Sequence, residues 1–120
     1  MFDNDRSDAA ADGTRVAYGV RGQGPALVLT NGITTSTFFW DHLAPEWTRR
    51  FTVVTWDFKG HGRSGPARSP AGVTMAALAD DLRRILDDAG IERAILVGFS
   101  MGCQVILEAY RLFPGRVRAL

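Results

Sequence analysis

The stretch Ala94-Ile95-Leu96-Val97-Gly98-Phe99-Ser100-Met101-Gly102, running into Cys103 to Phe113, decides the fold. Four apolar residues lead into a G-x-S-x-G pattern, and a helical pattern follows. Strand, sharp turn and helix is the setting in which such a serine is lifted out at the carboxyl edge of a sheet, its hydroxyl exposed at the start of a helix. Gly98 and Gly102 let strand and helix approach closely, because a Cβ at either position would clash. The serine between them is expected in a strained backbone conformation. The five residues alone recur by chance; between a β-rich run and a helix they are far more specific.

Outward from this stretch, the pattern repeats. Ala26 to Thr30 is a continuous apolar run, as expected for a strand covered on both faces, and Phe51 to Asp57 reads as a second buried strand. A helix is expected from about Phe38 to Trp47, with Ser36 or Thr37 as N-cap. The clearest helix begins at a Thr74 cap, places Met75, Leu78, Leu82, Ile85, Leu86 and Ala89 on one face, and closes at Gly90. Pro114-Gly115 stops the helix that starts near Cys103, and Val117 to Leu120 begins another apolar run. Thr14 to Val20 alternates as a strand, followed by a turn over residues 21–25. Residues 1 to about 13 are polar and predict a flexible lead-in, leaving 14–120 as a single domain. Strand and helix alternating after a hairpin demand an α/β fold: a predominantly parallel sheet with helices on both faces. Ligands in such sheets bind beyond the carboxyl ends of the strands. Three loops leave that edge: Asn31 to Ser36, Asp57 to Gly65, and the turn at Ser100.

With 120 residues, 46% hydrophobic and 22% charged, the composition is that of an ordinary soluble domain. The formal net charge of +1 and scattered arginines point away from nucleic acid and from an anionic membrane surface. The single cysteine, Cys103, excludes an internal disulfide. The N-terminus shows no basic segment ahead of an apolar core, and no run approaches the ~20 residues of a membrane span. A cytoplasmic protein is expected.

Ser100 is the candidate nucleophile. At a helix start it sits in a positive local potential, with the Met101 N–H directed to the space above it. A tetrahedral oxyanion needs a second donor. Gly32 allows a tight turn after the Ala26–Thr30 run and makes the Ile33 N–H that candidate. The plain structural reading is a tight turn in which Ser100 only caps a helix. The second dense cluster is Asp57-Phe58-Lys59-Gly60-His61-Gly62-Arg63-Ser64. Here His61 is either a general base oriented by Asp57, or part of a glycine-enforced loop with both side chains bonded to backbone. His42 reads as surface packing on the first helix. Two histidines and one cysteine without ligand spacing argue against a metal site. Phe38, Phe39, Trp40 and Trp47 are expected to pack the first helix on the sheet, with Thr34, Thr35, Phe38 or Phe39 lining a substrate entrance. Cys103 need only be small.

These residues resemble the amino-terminal half of an α/β-hydrolase-fold serine hydrolase of the esterase, lactonase and haloperoxidase-like group, over about residues 14 to 120. Asn31-Gly32-Ile33 stands where that family commonly has His-Gly and the residue whose N–H enters the oxyanion hole. Asp57 to Ser64 matches its Asp-x-x-Gly-His-Gly-x-Ser loop, structural in the family, and Gly98 to Gly102 matches its nucleophile elbow. Serine at 100 argues against the aspartate-nucleophile dehalogenases and epoxide hydrolases. The resemblance implies a fold truncated after the elbow helix, a small acyl substrate and no cofactor. The family's triad acid and histidine follow the serine in its carboxyl half, and no residue here takes either role. The family's strand order implies that Ala94 to Gly98 is left as an apolar edge, open to self-association. A non-catalytic ligand- or partner-binding protein of the same fold is the alternative.

Overall fold

The computed structural model describes residues 2–120. One six-stranded sheet organises them: β1 (Arg6–Ala9), β2 (Arg15–Gly22), β3 (Ala26–Thr30), β4 (Thr52–Trp56), β5 (Ala94–Gly98) and β6 (Val117–Ala119), in the spatial order β1-β2-β4-β3-β5-β6. β1 pairs antiparallel with β2, and β2 antiparallel with β4. β4, β3, β5 and β6 run parallel. Three α-helices connect them: α1 (Ala44–Trp47), α2 (Met75–Asp88) and α3 (Met101–Leu112).

The period of two along the strands sorts side chains between two cores. Val28, Val54 and Leu96 point to one face, against Leu78, Leu82 and Ile85 of α2 and Val105 and Ala109 of α3. Leu27, Leu29 and Val53 point to the other, against Trp40 and Ala44. Each buried aliphatic side chain contributes roughly 1.5–3 kcal/mol, so a one-residue slip of any central strand would exchange both cores and is strongly disfavoured. Helix α2 starts where the sequence indicates. The Thr74 hydroxyl accepts the Ala77 N–H at 3.1 Å, a cap whose loss costs about 1 kcal/mol. It ends in a Schellman pair, Ile91 N–H to Leu86 O at 2.8 Å and Gly90 N–H to Asp87 O at 3.1 Å. Tyr18 of β2 donates its hydroxyl to Asp88; burial, and then that carboxylate, push the phenol up to about 12.

Three expectations are corrected. The lead-in expected over residues 1–13 contributes a strand to the sheet: Arg6–Ala9 is β1, and Asn4 is buried, while Met1 lies outside the described residues. Asn4 donates to Asp57 Oδ2 at 2.9 Å and accepts from Thr55 Oγ1 at 2.7 Å, so its polar character serves an internal network. The helix expected over 38–47 is broken into a 3₁₀ turn, Thr37–Trp40, and α1. Pro45 has no N–H to continue a helix but suits a first turn, so it starts a new one. β5 is not a bare edge, because β6 pairs with it at Ala94 and Ile95, though the registered pairs stop there.

Candidate active site

Thr30 is the register partner of both Trp56 and Gly98. The residues that follow β3, β4 and β5 therefore leave the sheet side by side. At β5 the Phe99 N–H donates to Thr30 O at 3.1 Å, so the elbow is tied to the end of β3. Ser100 then takes φ 55° and ψ −119°, a conformation costing about 1–3 kcal/mol for a residue with a Cβ. Two further bonds hold it: Gly102 N–H to Phe99 O and Cys103 N–H to Ser100 O, both 2.9 Å. The flanking glycines are sterically required. A Cβ on Gly98 would lie 2.7 Å from the Gly102 carbonyl, and one on Gly102 would lie 2.4 Å from Thr30 O.

Ser100 is the N-cap of α3, yet its side chain makes no capping hydrogen bond. A capping serine accepts the N–H of the second or third helical residue. Here those amides belong to Gly102 and Cys103, and both go to backbone carbonyls. The hydroxyl is thus exposed and uncommitted, on a strained residue at the positive end of a helix.

The loop after β3 lies against this elbow. A Cβ on Gly32 would stand 2.8 Å from Phe99 Cδ1 and 3.3 Å from Ser100 Cβ. Among the described residues neither the Ile33 N–H nor the Met101 N–H has a protein acceptor. Below them Asn31 is buried. Its amide donates to Trp56 O at 3.0 Å and its oxygen accepts from Trp40 Nε1 at 2.7 Å, fixing the root of the loop. Thr34 has φ 61°, like Ser100 a non-glycine residue at positive φ. Thr35 closes the turn with its N–H and hydroxyl on Gly32 O, at 3.4 and 2.8 Å.

The loop after β4 is built differently. Asp57 is buried, and its Oδ2 accepts from Asn4 and from the Arg63 N–H at 3.1 Å. Ser64 donates to Asp57 O at 2.7 Å and accepts the Ala17 N–H at 2.8 Å. His61 does not meet Asp57. Its Nδ1 faces Lys59 O at 3.1 Å, and its Nε2 accepts the Thr34 N–H at 2.9 Å. Both ring nitrogens are occupied by backbone, so the general-base reading of His61 gives way to the structural one. Lys59, which the sequence does not mark, is buried beneath this loop. Its Nζ donates to Gly72 O at 2.9 Å and lies 3.3 Å from Asp81 Oδ2 and 3.7 Å from Asp12 Oδ2. Burial pushes Asp81 up to about 6 against the opposing pull of Lys59. The Thr14 backbone N–H is the first cause that holds Asp12 down at about 2.

Exposed apolar side chains occur in the elbow and in the segment after β3: Ile33 is 56% exposed, Phe38 63% and Phe99 39%. Phe99 stacks on Phe39 with centroids 4.1 Å apart. Beside them lies an open recess of about 430 Å³, lined by Thr34, Thr35, Phe38 and His61 among others. A similar recess of about 460 Å³, around Phe2, Arg21 and Pro45, includes none of the three loops. No helix among the described residues is long and apolar enough to cross a membrane.

Comparison with known proteins agrees with this fold. The family model described as the alpha/beta hydrolase fold matches residues 25–120. A hydrolase from Pseudomonas aeruginosa is similar at 34% identity and a TM-score of 0.89, covering 95% of this chain and 43% of its own. The esterase RhEst1 from Rhodococcus sp. is similar at 30% identity and a TM-score of 0.87, with the same coverage of 95% and 43%. The uncharacterized hydrolase YraK of Bacillus subtilis is 31% identical over 108 residues, 90% of this chain and 40% of that protein. The chain spans about a third of the length of the curated relatives it matches.

Proposed function

Because the chain belongs to the α/β-hydrolase fold family, we propose that it is the nucleophile-bearing part of a serine hydrolase that opens a carboxylic ester, thioester or lactone through an acyl-enzyme on Ser100. The observation that carries the proposal is the uncommitted Ser100 hydroxyl on a strained N-cap residue. A serine kept only as a helix cap would use its oxygen on the helix.

Ser100 Oγ attacks the carbonyl carbon, and the carbonyl π pair moves to oxygen. The Met101 and Ile33 amides donate to that oxyanion; removing one such donor costs about 10²–10³ in turnover. The intermediate collapses by expelling the alcohol or thiol, which takes the proton that Ser100 lost. Water then repeats the sequence on the acyl-enzyme and releases the acid. A proton carrier is required in both halves, and His61 is not available for it. The triad histidine and acid are supplied from outside these 120 residues. The exposed apolar side chains of Ile33, Phe38 and Phe99 suit a small acyl substrate with an apolar portion, and no step calls for a cofactor.

The test is labelling with a fluorophosphonate probe in the full-length context, with the triad partners supplied. Labelling that disappears in Ser100→Ala supports the reading; labelling that persists in that variant, or is absent from the wild type, rejects it. The 120-residue chain alone should show no sustained turnover of an activated aryl ester.

A further inference from the structure

Two loops of the sheet edge are joined by one side chain. Thr34 sits one residue beyond the oxyanion donor Ile33 and holds a left-handed backbone, φ 61°, that a β-branched residue rarely adopts. Its N–H donates to His61 Nε2 at 2.9 Å. A nitrogen that accepts a hydrogen bond carries no proton, so His61 must be the Nδ1–H tautomer. Lys59 O, 3.1 Å from Nδ1, is the matching acceptor. Lys59 is itself immobilised by Gly72 O and Asp81, and the Phe58 ring stands edge-on to the imidazole at 5.8 Å. The ring is therefore oriented from behind and presents one lone pair to one strained amide.

We propose that His61 is a positioning residue for acyl transfer: as the neutral Nδ1–H tautomer it holds Thr34 in its left-handed conformation, and thereby aims the Ile33 N–H at the oxyanion formed on Ser100. The inference rests on the hydrolase reading for its catalytic consequence, but the tautomer and the Thr34 bond stand independently of it. Losing the Thr34 acceptor lets the strained left-handed backbone relax into a loop change. A displaced Ile33 amide weakens the oxyanion, not substrate binding, so kcat falls while KM stays.

The experiment has two arms, both in the full-length context. In the first, ¹⁵N NMR of histidine nitrogens reads the wild-type tautomer, and the Thr34 and Ile33 amide shifts are compared with those of His61→Ala. The expected result is Nδ1–H with Nε2 unprotonated, and movement of both amides in the variant. In the second arm, rates of fluorophosphonate labelling and of aryl-ester turnover are measured for His61→Ala and His61→Gln. His61→Ala should label and turn over about tenfold or more slowly, within the about 10²–10³ limit for loss of a whole donor, at unchanged KM. His61→Gln, whose Oε1 can replace Nε2 as acceptor, should recover most of the rate. An Nε2–H tautomer in the wild type overturns the proposal, and so does a folded His61→Ala that labels at the wild-type rate. If Ser100 is not labelled even in the wild type, the hydrolase reading fails, and the first arm alone decides whether His61 pins Thr34.

Discussion

The elbow at Ser100 and the loop from Asp57 to Ser64 leave β5 and β4, the strands on either side of β3, at the same edge of the sheet. Both are glycine-rich, and both carry residues able to do chemistry. They differ in what their polar groups touch. In the Asp57 loop the carboxylate, the imidazole and the Ser64 hydroxyl all hold backbone or neighbouring side chains; among the described residues Asp57 Oδ1 is the only buried side-chain polar atom of that loop without a partner. In the elbow the serine hydroxyl holds nothing, although its backbone is strained and the nearby Phe99, Gly102 and Cys103 amides are pinned. Residue type does not separate these two loops. Hydrogen-bond commitment does.

Substitutions at matched positions probe that contrast. The largest expected effect is chemical: Ser100→Ala removes the proposed nucleophile, a change worth about 10⁶ in turnover in a serine protease. Its melting temperature should be unchanged or higher, since Ala removes no hydrogen bond; a large loss of stability would mean that Ser100 is structural after all. Next is Gly102→Ala, whose Cβ would meet Thr30 O at 2.4 Å and Asn31 O at 2.6 Å. Overpacking against backbone should cost about 3 kcal/mol or more, read from urea midpoints. Asp57→Ala strands the Asn4 amide and the Arg63 N–H and should lose about 3 kcal/mol, with little change in the reactivity of whatever fraction stays folded. If reactivity fell far more than the folded fraction, the scaffold assignment would be broken.

The smallest effect is in pH dependence. Asp81 is raised to about 6 by burial, so above its unfolded value the folded protein holds a proton that the unfolded chain has released. Its contribution is full below pH ~4 and is lost as pH rises through about 6. Asp12, lowered to about 2, acts oppositely: its contribution is present above ~4 and lost as pH falls through about 2. Melting temperatures measured from pH 4 to 7 should decline, and Asp81→Asn should flatten that decline.

Much of this was legible in the sequence because it rests on local sterics. The three parallel apolar runs, the Thr74 cap and the two elbow glycines each carry their signal within a few residues. The edge shared by Asn31, Asp57 and Ser100 followed from strand alternation. Other features depend on partners distant along the chain. Asn4 looks like a solvated N-terminal residue until β1 places it under Asp57. Lys59 reads as an ordinary loop cation until α2 brings Asp81 to it. Pro45 did carry a local signal, and it broke the helix that the aromatic spacing of residues 38–47 suggested. The choice between capping and free serine, and between base and scaffold histidine, lay in hydrogen-bond partners that no spacing encodes.

The central claim is that the free hydroxyl, not the histidine loop, carries the chemistry. Acyl-enzyme trapping tests it most directly: the full-length protein is acid-quenched milliseconds after mixing with an activated aryl ester, digested, and its peptides are weighed. The account predicts one acyl group, on the peptide containing Ser100, in wild type and, more slowly, in His61→Ala. An acyl group on any other residue, or its loss from Ser100 when only His61 is changed to Gln, would contradict it.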